Sequence, residues 1–538
     1  MSSPARAAAA AYELRLTPED RTRLGAHSTP PEVADELVEL ALAHLRTTPG
    51  RVVDPACGAG AFLLAAADAL VRRGVAPVDA VGRLRGTDVD PGAVGATREH
   101  LVGWLASHGV APGAALAAAG AAELLVHDSL GGPPEGWVAG ADLLVANPPF
   151  RSPLSAAVAA RAGAAPYTND AARFLAGAAD WCRPGGVAVV LQPLSVLGAR
   201  DAAGARDDVL RRGELVALWA SPERLFDAEV RVCAPVLRRR AVDVSTSPTA
   251  VPAAAEVEVA WTADAGRIRR RPTPAPGSTW GPLLAGALGI PEVPAPASDA
   301  ARVASVASAT AGFRDEYYGL LPAVRGEDEP GHDPTGLRVA TVGMIGVARL
   351  DHAGRRRLGG RAVAGPRIAP IDLATAPERV AAWAGARLRP KVLVATQSRV
   401  LEAVADPDGD CVPLTPVISV EPLVTGAGRS AVIPPTDLWS LLAALSAPSV
   451  SALAAAEALG SGMSSGAVRW STRAVTGAAL PTDVAAWARG AVLARRLSTG
   501  EGGRAELLAR LGRTMAEAHG LDPDHPVVEW WIGLARRT

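Results

Sequence analysis

Lysine is almost missing from this 538-residue chain. Lys391 is the single one, and the other 53 of the 54 basic residues are arginine. Base composition alone produces such a bias, as it does the richness in Ala, Gly and Pro, yet chemistry that needs several lysines is excluded. Cysteine is sparse too. The four residues Cys57, Cys182, Cys233 and Cys411 form no C-x-x-C pair, which argues against a zinc site or a disulfide framework and fits a reducing cytosol. The net charge is -1, so no global basic field points to nucleic acid or membrane, and such a partner must meet a local patch. No uninterrupted apolar run is long enough to span a bilayer. The N-terminal "MSSPARAAAAAYELRLTPED" has a short Ala run soon followed by charges, unlike a secretory signal. The expected location is the cytoplasm.

What is present is an ordinary globular balance, 49% hydrophobic and 20% charged, over a length that allows two or three domains. From Ser28 to about Arg240 the pattern alternates strand and helix: "RVVDPACGAG", "AFLLAAADALVRRG", "AVGRLRGTDVD", "PGAVGATREHLVGWLASHG", "AELLVHDSL", "ADLLVANPPF", "VAVVLQP". Such alternation predicts a mostly parallel sheet with helices on both faces, with ligands bound beyond the carboxyl ends of the strands. Residues 1–245 are expected to form this domain. Residues 246–300, with "RRRPTPAPGSTWGP", form a Pro-rich linker, and residues 301–538 a second domain with short strands and a helical C-terminal part.

Four strand ends carry unusual residues. "DPACGAGAF", Asp54 to Phe62, has an acid followed by a Gly-rich turn. The third glycine of a dinucleotide fingerprint is absent, since position 63 is Leu. An acid at this place repels phosphate and suits a cation carrying a sulfonium and an ammonium. "GTDVD" puts Asp88 where ribose hydroxyls are held in nucleotide-binding sheets, while Asp90 before Pro91 starts the next helix. "HDSL" puts Asp128 where an adenine amino group can be accepted. A bare structural turn and helix caps are the competing readings of these residues. "LLVANPPF", Leu143 to Phe150, ends an aliphatic strand in two prolines that stiffen the exit. This stiffness implies that Asn147 and Phe150 are held still at the sheet rim.

With "DPACGAGAF" and "NPPF" both in place, the chain resembles the N6-adenine DNA methyltransferases that use S-adenosylmethionine. Their gamma motif order puts a "TP" segment first, here in "GAHSTPPEV", then the cofactor loop, then the N-P-P-aromatic motif, then the target-recognition domain. The C-terminal half is similar to recognition domains of restriction–modification specificity proteins, through "SATAGFRDEYYGL" and "RPKVLVATQSRVLEAVADPDGDCVPLTPVISVEP". The resemblance implies a Rossmann-like methyltransferase sheet plus a C-terminal mixed α/β recognition domain. It implies S-adenosylmethionine as cofactor, held by Thr29, Pro30, Asp54, Pro55, Ala56, Cys57, Gly58, Gly60, Phe62, Asp88, Val89, Asp128, Ser129 and Asn147. Thr29 and Pro30 are read equally well as a helix N-cap.

Catalysis would fall to Asn147, Pro148, Pro149 and Phe150. The lone pair of an adenine amine is delocalised into the ring. The Asn147 side-chain carbonyl and the Pro148 backbone carbonyl would localise it by accepting both N–H bonds, preorganised by the prolines. Phe150 would stack on the flipped base; as a plain strand exit, it would plug the core instead. No metal is required, and no ligand cluster for one is seen. Between Arg338 and Arg399 stand 12 basic residues against three acids, a local net of about +9. "GRRRLGGR", with Arg355, Arg356, Arg357 and Arg361, and also Lys391, are the candidates to grip double-stranded DNA. The rivals are an RNA or protein methyltransferase, a recognition subunit of a larger defence complex, and a DNA-binding module without activity. The only lysine lies in "LRPKVL", with Arg389 rather than an acid two residues before it, and few residues precede the "TP" segment. Methylation without cleavage is therefore expected, with any nuclease on a separate chain.

Overall fold

The computed structural model describes residues 5–6, 9, 29–150, 170–221, 225, 231–240, 256–261, 269–423, 437–461 and 467–536. The chain divides into two compact units, Met1–Leu288 and Gly289–Thr538. In the first, Pro31 opens helix α1 (Pro31–Ala43), whose Val33, Ala34, Leu37, Val38, Ala41 and Leu42 are buried at helical spacing. Strand β1 (Val52–Asp54) is buried along its length and runs into α2 (Ala61–Arg72). The chain continues through α3 (Pro77–Gly82), β2 (Leu84–Asp88), α4 (Pro91–Ser107), α5 (Pro112–Ala121), β3 (Glu123–Val126) and β4 (Ala141–Ala146). Then come α6 (Asp170–Trp181), β5 (Cys182–Val190), β6 (Gln192–Pro193), α7 (Ala203–Arg212), β7 (Gly213–Ala220) and β8 (Val232–Arg239).

These strands form one sheet in the order β7-β8-β5-β4-β1-β2-β3. β1 to β5 are parallel, while β8 runs antiparallel between β5 and β7. Strand residues alternate between faces. Leu143, Val145, Val187 and Val189 join the core formed with α1, α2, α4 and α5. On the opposite face Ala188 and Leu237 line a small cavity together with Leu175 of α6 and Val209 of α7. The chain leaves β1 toward β2 and β3, then returns to place β4 on the other side of β1. The ends of β1 and β4 therefore flank the topological switch point, where open α/β sheets bind ligands.

Residues 256–261 and 269–272, expected within a Pro-rich linker, instead extend this sheet. Strand β9 (Glu256–Trp261) pairs in parallel with β7, and β10 (Arg269–Pro272) pairs with β9. The alternation in "EVEVAW" is a period-2 strand signal, with Val257 and Val259 buried. The next residues also dock here: Trp280 is fully buried and its backbone N–H donates to the Leu197 carbonyl at 2.8 Å. The break between units falls at Leu288, not at 245.

The second unit has two four-stranded sheets. One is antiparallel, ordered Ala307–Ala311, Val417–Pro422, Lys391–Ala395, Ala403–Asp406. The other is mixed and ordered Val324–Arg325, Arg367–Ile368, Leu337–Ala340, Cys411–Pro413. Helices Leu438–Leu445, Pro448–Glu457, Val484–Thr499, Arg504–Ala518 and Pro526–Ala535 follow. Among the described residues no single helix is long and apolar enough to cross a membrane.

Candidate active site

The turn after β1 is held from both sides. Asp54 is 1% exposed, and its Oδ1 accepts the Ala56 N–H at 3.0 Å. The Cys57 N–H donates to the Thr87 carbonyl at the end of β2, and the Gly58 N–H donates to Asp88 Oδ2, both at 2.9 Å. From α4, Thr97 Oγ1 donates to the Gly58 carbonyl at 2.7 Å, and His100 Nδ1 to the Ala59 carbonyl at 2.9 Å. Gly58 (φ 51°) and Gly60 (φ 92°) occupy the left-handed region, which glycine adopts without steric cost. Phe62 is buried in the core under the loop.

The two acids of this turn compete for ionisation. Burial, with repulsion from Asp88 adding to it, pushes the Asp54 carboxyl up from its ordinary 3.8 to about 8. Burial likewise raises Asp88, against the backbone N–H groups of Asp90 and Gly58 that favour its anion. Both Asp88 oxygens already accept a backbone N–H, from Gly58 and from Asp90. Each oxygen retains a second acceptor site. Asp90 caps α4, accepting from the Gly92 N–H at 2.9 Å, so Asp88 rather than Asp90 belongs to the loop. The Cys57 thiol is pushed well up by burial and by Asp54, which leaves it unreactive.

Beyond β3, Asp128 Oδ1 accepts the Leu130 N–H at 3.1 Å, and Ser129 is buried with its hydroxyl 2.7 Å from that of Thr87. A cleft of about 210 Å³ opens here, lined among others by Ser129, Leu130, Gly131, Arg173 and Phe174. Val89 is 49% exposed after β2. Sequence reasoning missed Phe174 and Leu130. The signal available was the rarity of phenylalanine, five in the chain, inside an alanine-rich helix.

Asn147 follows β4 directly, and its Nδ2 donates to Thr29 Oγ1 at 3.0 Å. Thr29 is 3% exposed, and the N-cap of the helix after it is Pro30, with no side-chain cap. The N-cap reading of Thr29 is thereby removed. Pro148 is buried, and Pro149 and Phe150 are half-buried, with Phe150 resting against the edge of the core rather than within it.

The basic candidates do not behave as one patch. Lys391 is fully buried and paired with Asp406. It has no access to a phosphate, and its assignment to DNA is corrected to a structural one. Arg356–Leu358 and Arg361–Val363 form a hairpin. In it Arg355 pairs with Asp328, Arg356 with Asp351 at 2.5 Å, and Arg361 with Glu329 at 2.7 Å. Arg357 is exposed and has no ion-pair or hydrogen-bond partner among the described residues. The excess of +9 belongs to Arg338–Arg399 and leaves out the preceding Glu327, Asp328 and Glu329, which fold back beside the hairpin.

The family model described as N-6 DNA Methylase matches residues 9–256 of this chain. Among solved structures, the chain is similar to the type IIL restriction-modification enzyme MmeI in complex with DNA, at 10% identity and a TM-score of 0.56, over 100% of this chain and 82% of that one. It also matches the type IIG restriction endonuclease BpuSI, with 13% identity, TM-score 0.41, and coverage of 94% and 65%. A third match is a putative class I S-adenosylmethionine-dependent methyltransferase from Listeria monocytogenes, with 19% identity, TM-score 0.32, and coverage of 49% and 72%. At such identities the likeness to MmeI establishes the fold. No curated protein matches the chain.

Proposed function

We propose that this protein transfers a methyl group from S-adenosylmethionine to the N6 amine of an adenine flipped out of a specific DNA sequence, as the modification enzyme of a restriction–modification or phage-defence system. The observation that carries the reading is the position of Asn147. It stands at the end of β4, beside the β1 turn at the switch point, with its amide nitrogen held by Thr29.

The strand ends fit the cofactor. Gly58 and Gly60 leave the backbone bare for close approach. Asp54 and Asp88 supply negative charge to a sulfonium and an ammonium, and the remaining acceptor sites of Asp88 suit ribose hydroxyls. Val89 and Phe174 present apolar faces to an adenine ring beside Asp128 and Ser129. Bound there, S-adenosylmethionine supplies an electrophilic methyl group.

The residues of the chain do the rest. The Asn147 carbonyl and the Pro148 backbone carbonyl accept the two N–H bonds of the target amine and turn its lone pair toward the methyl group. Phe150 stacks on the extruded base, replacing the contacts it lost in the duplex. Holding both reactants in line is the main catalytic contribution. The amine nitrogen becomes cationic as its bond to carbon forms and the carbon–sulfur bond breaks; its surplus proton leaves to water. Arg357, exposed on the hairpin, holds phosphate.

Purified protein incubated with radiolabelled cofactor and unmodified duplex DNA tests this. The expected product is N6-methyladenine in DNA at one sequence context. Label that enters only tRNA, rRNA or protein rejects the reading.

A further inference from the structure

We propose that Thr29 is a positioning residue that orients the Asn147 amide, so that its carbonyl end is the one presented to the target amine. This rests on the reading of the chain as an adenine methyltransferase, and it gives Thr29 a role distinct from contact with the cofactor.

An asparagine amide has a donor end and an acceptor end, exchanged by a half-turn of the group. The two orientations have opposite chemistry here. With Oδ1 toward the substrate, an amine N–H is accepted; with Nδ2 there, two donors confront each other. The nitrogen end therefore needs an acceptor on the side away from the substrate. Thr29 Oγ1 lies 3.0 Å from Nδ2, brought across 118 residues of sequence. Thr29 is 3% exposed, so bulk water is a poor substitute for the hydroxyl. No helix cap claims it, because the N-cap of α1 is Pro30 and the helix has no side-chain cap. The backbone around it is stiff. Thr29 is followed by Pro30 and Pro31, and Asn147 by Pro148 and Pro149, so φ is fixed immediately after each partner. Two proline pairs thus clamp one side-chain hydrogen bond between the start of α1 and the end of β4.

The test compares Thr29→Val, which keeps the shape and removes the hydroxyl, with Thr29→Ser, which restores it, in the full chain. Methyl transfer is measured to unmodified plasmid DNA, with cofactor affinity measured separately. The expected result for the valine variant is a kcat lower by on the order of tenfold to a hundredfold. Its cofactor Kd stays within about threefold, and the serine variant recovers most of the rate. A second readout does not depend on activity. The chain has only two asparagines, Asn147 and Asn169. Selective 15N-asparagine labelling therefore gives two side-chain amide signals, with Asn147→Ala as the assignment. The Asn147 signal is expected to exchange slowly with solvent in the wild type and in the serine variant, and rapidly in the valine variant. The proposal is overturned by an Asn147 signal indifferent to the valine substitution, or by a valine variant that loses cofactor affinity while keeping kcat. A wild-type protein that leaves DNA unmethylated would instead reject the functional reading, while the amide signal still decides the hydrogen bond.

Discussion

Lys391 and Asp406 form an ion pair inside the second unit, with side chains 0% and 3% exposed. Asp406 also accepts from Arg338 Nη2 at 3.2 Å and from the Cys411 N–H at 3.1 Å, so its oxygens are shared among three donors. A buried carboxylate with this much compensation depends on every partner. Lys391→Ala leaves it short of charge and is expected to destabilise the protein by about 3–5 kcal/mol in denaturant unfolding. Replacing both partners by apolar residues of similar volume is expected to cost much less. The lysine should also resist amine-selective reagents in the native protein and react on unfolding, which peptide mapping detects.

The pH dependence follows from Asp54. Its folded value, about 8, lies above its ordinary 3.8, so the folded apo-protein holds this proton more tightly than the unfolded chain. The stability contribution is fully present below pH 3.8, declines as pH rises, and is lost past about 8. Cofactor binding has the opposite sign, because a cationic ligand needs the ionised acid. Affinity should rise by up to about tenfold per pH unit as pH approaches 8, then level off. Asp54→Asn should flatten both profiles and weaken cofactor binding, as followed by calorimetry and thermal unfolding across pH.

DNA contacts should divide along the ion pairs. Arg357→Ala, which removes an unpartnered guanidinium, is expected to lower affinity uniformly across sequences. It should also reduce the slope of log K against log salt by about 0.9. Asp328→Asn acts in reverse by releasing Arg355 from its pair, and should tighten binding at low salt. Filter binding over a salt series distinguishes the two. Equal and unchanged slopes for both variants would remove the hairpin from the DNA interface.

Phe174 borders the cleft beside Ser129. Phe174→Ala should raise the cofactor Kd by about tenfold, equivalent to 1.4 kcal/mol, and leave the rate at saturating cofactor nearly unchanged. A loss confined to kcat would place the ring against the target base instead.

The sheet was legible from sequence because strand–helix alternation and aliphatic runs are local signals. Asp90 before Pro91 was legible as a cap for the same reason, since capping needs only a few neighbouring residues. Glu256–Trp261 was not, although "EVEVAW" alternates, because the surrounding Pro-rich segments dominate a composition reading. Its partner β7 lies about 40 residues earlier, and nothing in the segment states that distance.

Sequence alone was enough to place an acid and bare backbone at one strand end, and an amide between aliphatic residues and paired prolines at another. Those are properties of residue type and spacing. The tertiary structure alone decided which groups had partners. It turned Thr29 toward Asn147, buried the only lysine against Asp406, and folded Asp328 and Glu329 beside the arginines, leaving Arg357 without a partner among the described residues. Hydrogen bonds and ion pairs act over a few ångströms, and the one between Asn147 and Thr29 joins residues 118 positions apart. Only the folded backbone sets those distances.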